Sequence, residues 1–254
     1  PYLTMKTSRH LHVCSAVALT LISALSLTAA DATKAPAADL AKPVQVYIML
    51  GQSNMVGAGE VSSQLSRNAG KGSLEWLMEN PITAPHYQHL RNEDGSWQQR
   101  DDVQICFFDR RGPLQPGYGS TQNKIGPELG FGCCIGDAFD EPVLLIKIAW
   151  GGKSLAEDFR PPSLEGKTGL YYTKILEHTK NILRQADQLF PQLTGRTFLL
   201  EGFGWHQGWN DRINQSFNDA YERNMIQFIK DIRRDLKEPA LPFVIAETGM
   251  SGPE

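Results

Sequence analysis

Residues Val143 to Ala149 read VLLIKIA, a run that is apolar at nearly every position. A strand with one wet face alternates apolar and polar side chains. A short run without alternation, bounded by turn residues, has the pattern of a strand covered on both faces. Four further runs punctuate the chain: VQVYIML (Val44 to Leu50), VQICFFD (Val103 to Asp109), TFLLEGFGW (Thr197 to Trp205) and LPFVIAE (Leu241 to Glu247). Between them GPELGFGCCIGDAF, YYTKILEHTKNILRQADQLF and FNDAYERNMIQFIKDIRRDL read as helices. In the last, Tyr221, Met225, Phe228, Ile229 and Ile232 fall at helical spacing. Strands separated by helices of this length predict βαβ units and a mainly parallel sheet, an α/β fold. The stretch from about Gly59 to Arg100 is less regular and reads as an insertion or long loop.

A chain of 254 residues is long enough to bury the core of one such domain. A net charge of −3 gives no reason to expect nucleic acid or an anionic membrane as partner. The first 30 residues differ from the rest. From Met5, basic Lys6 and Arg9 precede an apolar stretch from Val13 to Leu27 and small residues at Ala29 and Ala30, the pattern of a secretory signal peptide. The expected organisation is a signal at 1–30, with 1–4 an upstream extension, an Ala/Pro-rich linker at 31–43 and one domain from 44 to 254. It implies a secreted or periplasmic protein with no membrane contact after signal cleavage. Outside the signal lie Cys106, Cys133 and Cys134. One disulfide with a free thiol and three buried thiols both fit, and no Cys/His spacing suggests a metal or other cofactor.

Three of the strands end alike: LGQSNMVG after the first, IAWGGKS after the third, FGWHQGWND after the fourth. Each combines glycine with polar residues, and ligands of parallel sheets bind outside the carboxyl ends of the strands. Each alone also reads as an ordinary turn. Ser53, at the centre of GQSNM, has the setting of a nucleophile presented at a strand end. An attacking serine needs a base and donors for the developing oxyanion. Gly151 and Gly152 offer backbone N–H groups that a substrate oxygen can approach closely, and Gln207 offers a side-chain amide. The G-x-S-x-G elbow is absent, because Met55 stands two after Ser53, and no phosphate-binding G-K-[ST] follows.

Taken in order, GQSNMVG, AWGG and WHQG resemble the sialate O-acetylesterase-like carbohydrate acetylesterases of the SGNH hydrolase superfamily, from Val44 to the end of the chain. The resemblance implies a three-layer α/β/α sandwich, flavodoxin-like in its central sheet. It implies removal of acetyl groups from a carbohydrate, acetylated xylan or a sialic-acid-type substrate, through an acyl-serine intermediate. Ser53 would be the nucleophile. Its own N–H, that of Gly152 and the Gln207 amide would form the oxyanion site, with Gly151, Asn54, His206 and Asp211 in support. The segment WHQGWND departs from relatives that carry Glu after the glycine. Trp209 takes that place here, a side chain suited to an apolar or sugar-stacking wall. SGNH enzymes also carry an Asp-x-x-His segment for the acid and base, which the present chain lacks. It is expected beyond Glu254, in a chain incomplete at its C-terminus.

Strand alternation turns His206 away from its neighbour Gln207, which favours a structural or supporting role over that of catalytic base, unless a kink after Trp205 re-aims the imidazole. His86 and His89 fall in the irregular region, from which a mobile loop could carry them to the site, and His178 reads as helical and solvated. Glu128, next to Pro127 at a helix start, has a favourable helix-dipole position. Arg110 and Arg111 read as a solvated loop, or as contacts to an acidic sugar. Asn214-Gln215-Ser216 matches the glycosylation acceptor pattern. Two rival readings remain: a carbohydrate-binding relative without a base, motivated by Trp150, Trp205 and Trp209, and an esterase of lipid or aryl esters.

Overall fold

The computed structural model describes residues 42–248, so the expected signal and most of the linker lie outside the described residues. Six strands form one sheet: Val44–Gly51 (β1), Arg100–Phe107 (β2), Arg110–Leu114 (β3), Val143–Ala149 (β4), Phe198–His206 (β5) and Phe243–Ile245 (β6). Their spatial order is β3-β2-β4-β1-β5-β6. All neighbours are parallel except the β2–β3 hairpin. The helices that cover the sheet or cap its strand ends are Ser53–Val56 (α1), Pro127–Ala138 (α2), Leu170–Arg184 (α3), Trp209–Arg212 (α4) and Gln215–Leu236 (α5). Among the described residues no helix is long and apolar enough to cross a membrane.

All five expected strands are present. β3 was not foreseen, since RRGPL carries two arginines, a glycine and a proline. An edge strand has a single neighbour, so it needs neither an apolar run nor every backbone donor, and proline is tolerated there.

Period-two alternation explains the two cores. Val44, Val46, Ile48 and Leu50 of β1, with Leu144, Ile146 and Ile148 of β4, pack against Tyr172 and Ile175 of α3 and Met225, Phe228 and Ile232 of α5. The opposite face carries Val103, Ile105, Phe107, Val143, Leu145 and Ala149 against Leu129 and Cys133 of α2. Helix α5 starts where the side chain of Asn214 accepts from the N–H groups of Ser216 and Phe217, so the residue that matched a glycosylation pattern serves as a helix cap. The three cysteines among the described residues are free. Cys106 and Cys133 are buried and Cys134 is exposed, so neither a disulfide nor three buried thiols describes them.

The one interruption in VLLIKIA is Lys147, which is 0 % exposed. Its side chain emerges on the α2 face, where Nζ lies 2.5 Å from Glu128 Oε2 and donates to Val56 O and Tyr118 O, each at 2.8 Å. Glu128 Oε1 accepts from the Gly126 N–H at 2.8 Å. The carboxylate therefore does more than face a helix dipole: it neutralises a cation in the core. A buried ion pair is stable only when its remaining protons and lone pairs are bonded, as they are here.

Removing one partner leaves an uncompensated charge. Lys147→Met is expected to lower the unfolding free energy by about 3–5 kcal/mol, read from urea denaturation. The double change Lys147→Met with Glu128→Leu should recover part of that loss. The shortfall would report the Val56 and Tyr118 carbonyls left unpaired.

Candidate active site

In this strand order the chain fills one side of β1 and then the other, which makes β1 the switch point where parallel sheets bind ligands. Its neighbours β4 and β5 are the two strands whose ends resemble its own. Their ends are level, because Gly51 pairs with Ala149 on one side and with His206 on the other. The three polar turns flagged by the sequence thus emerge side by side.

Strand β1 turns directly into α1, and Gly51 makes that turn possible. A Cβ there would lie 2.1 Å from His206 O and 2.8 Å from Met55 Cβ. Ser53 opens the helix and is exposed, while Met55 on the same turn is buried. The backbone N–H of Ser53 has no intramolecular acceptor among the described residues, as expected at a helix start. Across the β1–β4 edge Gly151 and Gly152 are both exposed, with Gly152 at φ +67°, a left-handed conformation that glycine adopts without strain. The Gly152 N–H is likewise without an intramolecular partner among the described residues. Asn54 is half-buried beside Ser53.

Gln52 is the site residue that sequence reasoning missed. It is 1 % exposed. Its Oε1 accepts from the N–H groups of Gly208 and Asn210 at 3.2 and 3.3 Å, and its Nε2 donates to Asn210 Oδ1 at 3.0 Å. The same Nε2 lies 3.5 Å from Ser53 Oγ. One buried amide therefore fastens the serine turn to the turn after β5. The signal was present in GQSNM, since an amide with two donors and two acceptor lone pairs can bridge two loops.

Gln207, expected among the oxyanion donors, makes its side-chain hydrogen bonds within the protein. It is buried, and its Nε2 donates to Lys153 O at 2.9 Å and Asp211 Oδ2 at 2.6 Å. Tyr221 OH lies 2.9 Å from the Gln207 carbonyl and 3.1 Å from Oε1. Both amide hydrogens are engaged inside the protein. Gln207 fixes the glycine turn from beneath, through the carbonyl of the residue that follows Gly152. Asp211 does the same one step further along, accepting from the N–H groups of Leu155 and Ala156 at 2.8 and 2.9 Å. Burial raises the pKa of its carboxyl from its ordinary value, against the opposing pull of the hydrogen bonds from Gln207, Leu155 and Ala156.

His206 pairs in register with Gly51 at the end of β5. The imidazole is half-buried, and burial holds it below its ordinary pKa. Among the described residues no imidazole or carboxylate is bonded to Ser53 Oγ, whose one side-chain contact is the Gln52 amide. Trp205 belongs to the core. Trp209 is 37 % exposed, under the Arg212 guanidinium at 5.3 Å. Among the described residues no group of three or more His, Cys, Asp or Glu side chains could hold a metal ion.

Layered helices around a mainly parallel sheet, with the polar turns at its switch point, define an α/β protein. A sequence profile of the carbohydrate esterase, sialic acid-specific acetylesterase family matches residues 43–253, and the chain belongs to that family. A probable carbohydrate esterase of Arabidopsis thaliana is 25 % identical over 209 residues, covering 80 % of this chain and 68 % of its own length. A crystal structure of an Arabidopsis thaliana protein superposes with a TM-score of 0.54 at 19 % identity, over 80 % of this chain and 73 % of that one. The structure titled NanS gives a TM-score of 0.47 at 17 % identity, over 82 % and 68 % of the two chains.

The Gln52 bridge is open to a direct check. Gln52→Leu keeps the volume but leaves the Gly208 and Asn210 N–H groups without their acceptor. A loss of about 1–3 kcal/mol in urea denaturation is expected. Gln52→Glu, which retains an acceptor at Oε1, should lose less.

Proposed function

We propose that the protein is a serine esterase that removes O-acetyl groups from a carbohydrate through an acyl-serine intermediate, with Ser53 as nucleophile. Family membership supports the esterase class. The observation that carries the residue assignment is the level alignment of three strand ends, which sets the exposed Ser53 beside the exposed glycine turn.

In this reading Ser53 Oγ attacks the acetyl carbonyl carbon. The carbonyl oxygen takes up negative charge opposite the unpaired N–H groups of Ser53 and Gly152. Donors fixed in advance are worth more than mobile ones, because nothing reorganises as charge develops. Gln207, Asp211 and Gln52 contribute by holding the two turns. The Ser53 proton passes to a base that must come within hydrogen-bond reach in the reacting complex. The sugar alkoxide leaves with a proton, and water then hydrolyses the acetyl-serine ester. The leader-like pattern of the first 30 residues supports a location outside the cytoplasm in this reading.

Acetate release from acetylated xylan, an O-acetylated sialic acid and a small aryl acetate tests the reading, with the full-length protein as the enzyme. Ser53→Ala should reduce turnover of every cleaved ester by at least about 10³-fold. Turnover that survives Ser53→Ala would overturn the serine mechanism. Glycan binding with no turnover would favour the non-catalytic reading instead.

A further inference from the structure

Helix α5 reaches the candidate site through Tyr221, in its second turn. Trp205 Nε1 donates to the Tyr221 hydroxyl at 3.0 Å, and the hydroxyl lies 2.9 Å from Gln207 O and 3.1 Å from Gln207 Oε1. An indole N–H can only donate, so the tyrosine oxygen is the acceptor in the first contact. A phenol has one proton, and both of its remaining neighbours are acceptor oxygens of Gln207. The proton therefore points at Gln207. Burial, with the Asp211 carboxylate nearby, pushes the phenol up to about 12 against the pull of the Trp205 bond, so the proton stays in place at neutral pH. The indole is itself held in the core, its ring 4.8 Å from Phe228 and 5.3 Å from Phe159, centroid to centroid.

The direction of that proton decides which way round the Gln207 amide sits. With Oε1 held by Tyr221, Nε2 is turned to Lys153 O and Asp211 Oδ2, at 2.9 and 2.6 Å. The reversed amide would set its oxygen against a carbonyl and a carboxylate, and its NH₂ against the hydroxyl proton. All the side-chain bonds of Gln207 would be lost together, inside the protein where no water replaces them. Beyond Lys153 the loop is pinned residue by residue. Ser154 N–H donates to Asp158 Oδ2 at 2.9 Å, and Leu155 and Ala156 N–H donate to Asp211 at 2.8 and 2.9 Å. Among the described residues Lys153 O is the first backbone anchor after Gly152. The placement of the exposed Gly152 therefore depends most directly on the Gln207 amide.

Resting on the serine esterase reading above, we propose that Tyr221 is a positioning residue for that reaction. Its hydroxyl, accepting from Trp205 and donating to Gln207, fixes the orientation of the Gln207 amide and through it the Gly152 N–H of the oxyanion site. Tyr221 touches neither Ser53 nor the substrate and acts through Gln207 alone. The ring packs on the core, a task phenylalanine would perform as well, so packing does not account for the hydroxyl. The relay joins the end of β5, helix α5 and the loop after β4. A donor on an exposed glycine turn is thereby set by a chain of bonds that begins at a buried indole.

Tyr221→Phe keeps the ring and removes the hydroxyl. In the full-length protein kcat for a small aryl acetate should fall by about 10- to 100-fold with KM within about twofold, since the ester still binds and only the donor is displaced. Tyr172→Phe is the control. It removes another buried phenol hydroxyl, bonded at 2.7 Å to Asp235 of the same α5, and should lower the melting temperature without changing kcat. In a Gln207→Leu background Tyr221→Phe should have no further effect on kcat, because the hydroxyl acts only through that amide. An unchanged kcat, an equal loss in both tyrosine variants, or losses that multiply in the double variant would each overturn the proposal. Hydrogen exchange needs no turnover: Tyr221→Phe should speed exchange at Leu155 and Ala156 by at least about tenfold relative to β1 and β4. A uniform rise, the mark of lost stability alone, counts against the role as firmly as no rise. The local rise in a protein whose wild type turns over no ester sinks the esterase reading and leaves Tyr221 as the clamp of the glycine turn.

Discussion

Lys147 donates three hydrogen bonds from a position with no solvent exposure, to Glu128 at the start of α2, to Val56 at the end of α1 and to Tyr118 in the loop before α2. Withdrawing an ammonium group from water carries a penalty of several kcal/mol, which is offset only when every one of its protons finds an acceptor at good distance. That condition couples the three segments. The end of the serine helix, the loop before α2 and the first turn of α2 must all be in place for any of them to be stable. An apolar residue at 147 would suit the core equally well in area, but it would leave these segments to be positioned separately. The polar connection specifies their relative placement.

The strand-end turns were legible because each carries its own local signature of glycine beside polar residues. Their adjacency was not. It follows from the order β4-β1-β5, which period-two patterning cannot supply, since a strand buried on both faces looks the same wherever it stands in a sheet. Five strands and the three long helices were readable from their apolar spacing. The hairpin strand β3 was not, because an edge position places so few demands on side chains that RRGPL is as acceptable a strand as it is a loop.

Roles within the site divide along a different line. Ser53 and the glycine pair were singled out from type and position alone, and the structure leaves all three exposed at neighbouring strand ends. The role of Gln207 could not be read that way. A side-chain amide donates equally well toward a substrate and toward a carbonyl of its own chain, and only the path of the loop after β4 decides between them. Here Lys153 O and Asp211 Oδ2 take both hydrogens. Gln52 was overlooked for the converse reason. A polar residue flanking the interesting one reads as turn filler, yet burial obliges its amide to find partners, and those partners are the backbone of the opposite turn.

The resulting arrangement separates support from reaction. Gln52, Gln207 and Asp211 are buried and fully engaged, so their desolvation is balanced by hydrogen bonds formed on folding. The N–H groups of Ser53 and Gly152 stand at exposed positions, where solvent satisfies them in the resting protein and a substrate oxygen would do so in the proposed reaction. Had those donors been buried, leaving them unpaired would have cost free energy in the resting protein. Had the supporting amides been exposed, the turns would drift and the donors would have to reorganise as charge developed. A site whose donors are solvated while its scaffold is dry avoids both penalties, and the left-handed Gly152 and the close-packed Gly51 are the two backbone positions at which that separation depends on the absence of a side chain.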